Sequence, residues 1–283
     1  MLNTEQGGSM HALDSLCERV EARDAESESR KPPHAEFLGL PFCLLSLREA
    51  LGLVVGHCGP PFRYVVTPNA YHVVTIHNEP ARLLPIYRGA WMSLCDSRIL
   101  RALARIDGRT LPLVTGSDLV AALFAALAAG DPERRQPGLL IVGPPPATAA
   151  ALRAAYPKLS FDVLPAPAGL ADRSELRLAV ARACIERPWD ILLLCVGCPA
   201  QELIARAIGE LGRGAGVALC VGASIDFLTG ARTRAPLWVQ RLGLEWAYRL
   251  VREPRRLWRR YLVESPRIFL IFLAARAARW RIS

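Results

Sequence analysis

The chain has 283 residues, enough for one large α/β domain or two small ones, and its apolar fraction of 52% excludes disorder over most of its length. The net charge of +9 lies at one end: residues 231–283 contain 13 arginines and three glutamates, a balance of +10, whereas residues 1–230 balance at −1. A basic tail indicates a phosphate-bearing partner, which could be nucleic acid, an anionic lipid surface or a diphosphate substrate.

The N-terminal segment, residues 1–35, is polar and mixed in charge, which predicts a disordered leader. It lacks the charged and apolar regions of a secretory signal, and the longest apolar run, Ile268–Ala275, is too short to span a bilayer. Most of the eight cysteines lie in apolar, strand-like runs, and the one C-x-x-C pair, Cys195 and Cys198, has no second pair at zinc spacing. We therefore expect reduced thiols and no metal site.

From residue 36 to residue 230, short apolar runs alternate with helical stretches. This alternation predicts an α/β fold, with right-handed β-α-β units that form a Rossmann-like parallel sheet sandwiched by helices. The helix Leu119–Ala129 has Ser117 or Asp118 as its expected N-terminal cap. After a short strand near Phe37, the predicted strands are 63–67, 91–95, 138–142, 160–164, 190–196 and 216–221, and the other helices include 46–55, 173–186 and 201–211.

The last fifth of the chain, residues 231–283, has a different pattern, helical and rich in arginine, tryptophan, leucine and tyrosine. Pro254 and Pro266 should divide it into three pieces, because proline interrupts a helix. We expect Trp246 and Leu250 to pack on the core. After Pro254, arginines beside apolar residues predict a basic, amphipathic appendage that lies at an anionic membrane surface.

Polar residues follow several of the predicted strands. Thr67 and Asn69 follow the first and Asp96 the second, while Gly143 and the pair Gln201-Glu202 follow later strands. Ligands of open parallel sheets bind outside the carboxyl ends of the strands, and amides at the helix starts there suit a diphosphate. Turn residues after a strand are also common without any function, so each motif alone is weak evidence.

Taken together, these motifs resemble a known family. In order they are T-P-N-A (67–70), a strand that ends in Asp96, T-G-S-D-L (115–119), L-I-V-G (140–143), D-I-L-L-L-C-V-G-C-P-A-Q-E (190–202), G-A-S-I-D-F-L-T-G (222–230), R-A-P (234–236) and G-L-E-W-A-Y-R-L-V-R-E-P-R-R-L-W-R-R-Y (243–261). Order and spacing over residues 37–262 are similar to those of the WecG/TagA/CpsF glycosyltransferases, glycosyltransferase family 26. The last block is the most specific of the series.

The resemblance implies an inverting hexosyltransferase that needs no metal and no cofactor. The donor it implies is a UDP-sugar carrying a hexose or N-acetylhexosamine, and the acceptor is a polyprenyl-diphosphate-linked sugar in exopolysaccharide or cell-surface polysaccharide biosynthesis. It also implies a peripheral protein on the cytoplasmic face of the inner membrane, with no nucleic-acid partner. Homo-oligomers are compatible with it.

Carried over by motif, the family's catalytic aspartate falls on Asp96, which would act as the general base. Arginine forks suit a diphosphate leaving group, whose negative charge grows in the transition state. The substrate-binding positions that the resemblance implies are Thr67, Asn69, Asp118, Gly143, Gln201, Glu202, Arg234, Arg249, Arg255 and Arg256.

Two positions depart from the family pattern. Ser97 follows Asp96 where the family usually has glycine, and Leu113 stands where an arginine is common. Both positions affect the wall of the expected sugar pocket. The reaction class stands, and the donor sugar stays open between N-acetylmannosamine, glucose and other hexoses.

Three other functions are alternatives to a transferase. A nucleotide-dependent oxidoreductase predicts G-x-G-x-x-G after the first strand, where the chain has T-P-N-A-Y-H (67–72). A nucleic-acid-binding protein predicts basic residues on the core, which is neutral. A catalytically silent scaffold of a polysaccharide-assembly complex stays open, because an aspartate can be present and idle.

Overall fold

The computed structural model describes residues 31–130, 135–233, 235–236, 238–239 and 244–280, without the side chains of Arg256, Arg279 and Trp280. Most of the predicted leader, residues 1–30, therefore lies outside the described residues, as does Arg234. The first described element is a β-hairpin that begins at His34, inside the predicted leader. Its turn has Leu38 and Gly39 at positive φ, the conformation that tight hairpins require.

The centre of the fold is a parallel sheet of six strands in the order β4-β3-β8-β7-β5-β6. It confirms the α/β class and the parallel sheet predicted from the alternating pattern. The strands, including those of the hairpin, are β1 His34–Phe37, β2 Leu40–Cys43, β3 Arg63–Val66, β4 Met92–Ser93, β5 Leu139–Val142, β6 Phe161–Leu164, β7 Ile191–Leu194 and β8 Val217–Cys220.

Helices flank the sheet and connect its strands. They are α1 Leu47–Gly56, α2 Ala70–Asn78, α3 Pro80–Gly89, α4 Arg98–Ile106, α5 Gly116–Ala129, α6 Pro146–Ala155, α7 Ser174–Ile185, α8 Ala200–Glu210, α9 Ser224–Leu228, α10 Glu245–Arg252, α11 Pro254–Trp258 and α12 Arg267–Trp280. A π-helical segment, Arg259–Glu264, joins α11 to α12. No helix in the described part of the chain is long and apolar enough to cross a membrane.

The apolar core lies on both faces of the sheet, as expected for a parallel sheet covered by helices. Along β7, Leu192 and Leu194 enter one buried cluster, and Ile191 and Leu193 enter the other. The alternation follows from the two-residue period of a strand, which points neighbouring side chains to opposite faces. It explains why the central strands are apolar throughout.

Helix α5 begins earlier than predicted. Its cap is Thr115, whose hydroxyl accepts a hydrogen bond from the Asp118 amide at 3.0 Å, so neither Ser117 nor Asp118 is the cap. The first helical residue is Gly116, where a β-carbon would lie 3.2 Å from the Thr67 hydroxyl and 3.4 Å from Val221 Cα. Because glycine lacks that atom, the start of α5 packs closely against the ends of β3 and β8.

The C-terminal helices pack against the sheet domain. The two prolines divide the described tail into 245–252, 254–264 and 267–280, as predicted. Ile268 and Phe272 of α12 are buried in the same cluster as the hairpin, and the Phe272 ring lies 6.3 Å from the Phe37 ring. The tail therefore completes part of the core, and a cut after Gly230 would uncover this cluster.

Candidate active site

A cavity of about 380 Å³ lies between the carboxyl end of the sheet and the C-terminal helices. One wall comes from the loops after β3 and β4, with Asn69, Tyr71 and Asp96, and the other comes from α10 and the π-helical segment. Its remaining lining residues are Ala70, Ser97, Arg98, Ile99, Glu245, Trp246, Arg249, Arg260, Tyr261, Leu262, Ser265, Pro266 and Phe269. The cavity sits where ligands of open α/β sheets bind.

Asp96 is held at the cavity wall by its neighbours in the chain and in space. Its amide donates to the Pro68 carbonyl at 3.1 Å, which ties the end of β4 to the loop after β3. Cys95 pairs with Leu113, and the Val114 amide donates to the Cys95 carbonyl at 3.0 Å. The Leu113 position thus helps to align Asp96 with the start of α5, where the Gly116 amide donates to the Asp96 carboxylate.

The environment of Asp96 makes its carboxyl a stronger base than an ordinary aspartate. Burial, followed by the negative charge of Glu245, raises the pKa of Asp96 to about 7, and Asp118 adds to the rise. Arg249 and the Gly116 amide act in the opposite direction. A carboxyl with this pKa can accept a proton near neutral pH, which is the property that a general base needs.

Three arginines line the same cavity as Asp96, namely Arg98, Arg249 and Arg260. Arg249 lies one helical turn after Glu245 on α10, and its guanidinium is 5.2 Å from the centre of the Phe227 ring. Arg260, from the π-helical segment, lies over the Tyr71 ring at 4.3 Å. The cavity therefore contains a carboxyl with a raised pKa and three cations, an arrangement suited to a reaction that releases a phosphate group.

A second cavity of about 340 Å³ adjoins the first at Arg249, which lines both. Arg232 and Arg252 also line it. Arg232 pairs with Asp226 at 3.0 Å, and Arg252 donates to the Tyr248 hydroxyl at 3.2 Å. The remaining lining residues are Phe227, Ala231, Thr233, Tyr248 and Glu253.

Three of the predicted substrate-binding side chains are buried away from the cavity. The Thr67 hydroxyl donates to the Cys220 carbonyl at 2.9 Å, and Gln201 accepts from the Gly222 amide at 2.9 Å. Gln201 also donates to Glu202 at 2.8 Å, and Glu202 is fully buried. None of the three lines the cavity; their hydrogen bonds join the ends of β3 and β8 to the start of α8, and their contact with substrate stays a prediction.

Asn69 occupies the boundary between this buried network and the cavity. The Asn69 side-chain oxygen accepts hydrogen bonds from the backbone amides of Tyr71 and His72. The Asn69 backbone amide donates to His72 Nδ1 at 3.2 Å. The reciprocal cap fixes Asn69 at the start of α2. On the far side of the ring, His72 Nε2 lies 3.6 Å from Glu202.

His72, Cys198 and Glu202 form the one group of three potential metal ligands in the described part of the chain. Burial lowers the pKa of His72 to about 3 and raises that of Glu202 to about 7, so the imidazole is neutral at pH 7. Because His72 Nδ1 accepts the Asn69 amide hydrogen, the ring proton resides on Nε2. A protonated Nε2 is not a metal ligand, so this donor set does not suit a metal ion.

Among the other predicted substrate-binding positions, Gly143, Asp118 and Arg255 do not line the cavity: the first two are in packed regions of the fold, and the third is exposed to solvent. At Gly143, φ is +121° and a β-carbon would lie 2.8 Å from the Cys195 carbonyl oxygen, so close strand packing requires the glycine. Asp118 accepts from the Thr115 hydroxyl at 2.7 Å and adds charge near Asp96. Arg255 is exposed. Arg234 and the side chain of Arg256 lie outside the described residues.

Sequence reasoning missed Glu245 and Arg260, and it placed Trp246 on the core although Trp246 lines the cavity. All three lie in the most specific motif, G-L-E-W…R-R-Y (243–261), which was the available signal. Which polar residues of this motif line the cavity depends on which of them face the sheet. That orientation is a property of the packed helices.

The comparison with known families agrees with this geometry. A family model for the glycosyl transferase WecG/TagA/CpsF family matches residues 35–282, nearly the whole chain. Membership implies a glycosyltransferase that acts in cell-surface polysaccharide biosynthesis. The chain thus belongs to the WecG/TagA/CpsF family of glycosyltransferases.

Proposed function

We propose that the chain transfers a hexose or N-acetylhexosamine from a UDP-sugar to a polyprenyl-diphosphate-linked sugar, with inversion and without a metal ion. The observation that carries the proposal is Asp96, a carboxyl with a pKa raised to about 7 in a cavity that also contains Arg249 and Arg260. The product would enter exopolysaccharide or another cell-surface polysaccharide.

In the proposed reaction, the Asp96 carboxylate takes the proton of an acceptor hydroxyl while the hydroxyl oxygen attacks the anomeric carbon of the donor. The bond between that carbon and the diphosphate oxygen breaks, and UDP leaves with the electron pair. A single displacement of this kind inverts the anomeric configuration. Arg249, which lies between the two cavities, would stabilise the charge that develops on the departing diphosphate.

The metal-free mechanism is supported by the side chains available near Asp96. Divalent ions in other transferases neutralise the diphosphate, and guanidinium groups can do the same by bidentate hydrogen bonds. Arg249 and Arg260 supply two such groups in the cavity. We therefore expect transfer to continue in EDTA.

A peripheral position on the cytoplasmic face of the inner membrane is supported by the surface of the C-terminal helices. Trp258, Leu262, Leu270 and Leu273 are each more than half exposed. Apolar side chains beside arginines are typical of helices that lie in the interface of an anionic membrane. They also lie on the same part of the chain as one wall of the cavity, which would bring a lipid-linked acceptor close to Asp96.

The proposal is tested by assaying purified protein with a panel of UDP-sugars and a short-chain polyprenyl-diphosphate sugar, with products identified by mass, in the presence and absence of EDTA. Asp96→Asn should lower turnover by about 10²–10⁴-fold. Asp162→Asn, a charge-matched change of an exposed residue on β6, should leave turnover within a factor of two.

Two results would contradict the proposal. Turnover of Asp96→Asn close to that of the wild type would remove Asp96 from the role of base. Absence of transfer from every donor in the panel, with folded protein, would favour the catalytically silent scaffold.

A further inference from the structure

Arg260 differs from the neighbouring arginines in how its charge is satisfied. Its Nε atom is buried and has no hydrogen-bond partner, and no ion pair joins Arg260 to an acidic side chain within the described residues. By contrast, the adjacent Arg259 is exposed and pairs with Glu264 at 3.2 Å. One face of the Arg260 guanidinium lies over the Tyr71 ring at 4.3 Å. Its charge is therefore partly desolvated without an anion beside it.

A buried guanidinium nitrogen without a partner is costly, because its N–H loses water and gains no acceptor in return. The cost is recovered when an anion enters the cavity and accepts those hydrogen bonds. The backbone supports this interpretation, since Arg260 lies in a π-helical segment, and such segments are rare and frequent at functional sites. An anion bound at Arg260 would lie in the same cavity as Asp96.

The surroundings of Arg260 indicate what the anion is attached to. Leu262 and Phe269 line the same cavity and are about half exposed, at 55% and 48%. They place an apolar surface beside the cation. Arg249, by contrast, also lines the second cavity, which has no large aliphatic side chain among its described lining residues and contains Arg232, Arg252 and Glu253. The two arginines therefore face different chemical environments.

We propose that Arg260 binds the diphosphate of the isoprenoid acceptor, whose first apolar units lie on Leu262 and Phe269, while the donor's diphosphate is bound at Arg249. This assignment rests on the proposed function, because it divides the two diphosphates of that reaction between two arginines. The acceptor's sugar would then lie between Arg260 and Asp96.

The experiment measures binding by calorimetry with the full-length protein in the absence of vesicles. The probes are farnesyl diphosphate, inorganic pyrophosphate and UDP. Arg260→Gln should weaken farnesyl diphosphate by about 10–100-fold, the worth of hydrogen bonds to a charged group, and change UDP affinity by less than about threefold. Arg259→Gln is the matched control, one residue away, and should bind all three probes like the wild type.

Three outcomes would overturn the assignment. They are equal weakening of UDP and farnesyl diphosphate in Arg260→Gln, equal effects of Arg259→Gln and Arg260→Gln, or pyrophosphate binding to the wild type as tightly as farnesyl diphosphate. If Arg260→Gln does not fold, Leu262→Ser replaces it in the experiment. Leu262→Ser should weaken the binding of farnesyl diphosphate and leave the binding of pyrophosphate unchanged. Since no donor is turned over, a failure of the proposed transfer reaction leaves these results interpretable.

Discussion

Asp96→Asn should stabilise the protein at alkaline pH and leave its stability nearly unchanged in acid. In the unfolded chain an aspartate loses its proton near its ordinary pKa of about 3.9, whereas the folded protein holds the Asp96 proton until pH about 7. Between these values the native state binds more protons than the unfolded state. The stability of the wild type therefore falls as pH rises from about 4 to about 7, and the cost is complete above that window.

The size of the effect follows from the difference between the two pKa values. About three units, at about 1.4 kcal/mol each, give an upper value of about 4 kcal/mol at pH 8. Asp96 is partly accessible through the cavity, which reduces the cost, so we expect a gain of about 2–4 kcal/mol for the asparagine variant. Asparagine resembles the protonated acid in shape and can still accept the Gly116 amide, so the two proteins should differ little below about pH 4, and at pH 5 the difference should be about a third of that at pH 8.

Urea unfolding of the wild type and Asp96→Asn at pH 5 and pH 8 measures this difference directly. The buried Glu202 titrates in the same range, with a pKa of about 7, but it is present in both proteins and cancels in the comparison. Asp162→Asn, on the exposed side of β6, controls for the change in net charge. The reasoning would be refuted if the two proteins differed by the same free energy of unfolding at both pH values, or if the variant were less stable than the wild type at pH 8.

Two further predictions concern the pH profile and the membrane. Glu245→Gln removes the second-largest cause of the raised Asp96 pKa. The acid limb of the kcat/KM profile should therefore move to lower pH by up to about one pH unit. An unchanged acid limb would show that Glu245 does not act on Asp96. Glu210→Gln, on an exposed residue at the end of α8, is its control. The double variant Leu270→Ser and Leu273→Ser changes two exposed positions of α12. It should weaken binding to anionic liposomes, measured by sedimentation, at least about tenfold and leave transfer to a soluble short-chain acceptor within about twofold. Equal losses in both assays would contradict a purely anchoring role for these residues.

The proposed division of the cavity gives the C-terminal helices two tasks. Ile268 and Phe272 complete the apolar core, while Arg260 and Glu245 bring charge to the carboxyl end of the sheet. This explains why the tail cannot be treated as a detachable membrane anchor. Its exposed apolar side chains reach the rim of the cavity, where Leu262 and Phe269 are both exposed and part of the lining.

The sequence by itself determined the class of fold and the position of Asp96 at the edge of the sheet. Fully apolar runs such as Ile191–Leu194 require cover on both faces, which a parallel sheet between helices provides. Once that sheet is predicted, Asp96 must lie at a carboxyl end, because it follows a strand directly. The excess of arginine after residue 230 likewise located the cationic part of the protein.

Only the tertiary structure decided which polar side chains reach the cavity. Thr67 and Gln201 follow strands as clearly as Asp96 does, yet their hydrogen bonds to Cys220 and Gly222 bury them. Those partners are far away in the chain, so no local pattern reveals them. In the tail, the break at Pro254 and the π-helical segment change the direction in which successive side chains point. As a result, Arg260 lines the cavity of Asp96, whereas Arg255 is exposed to solvent. Burial is a property of the packed fold, and a linear motif records only that a polar residue is present.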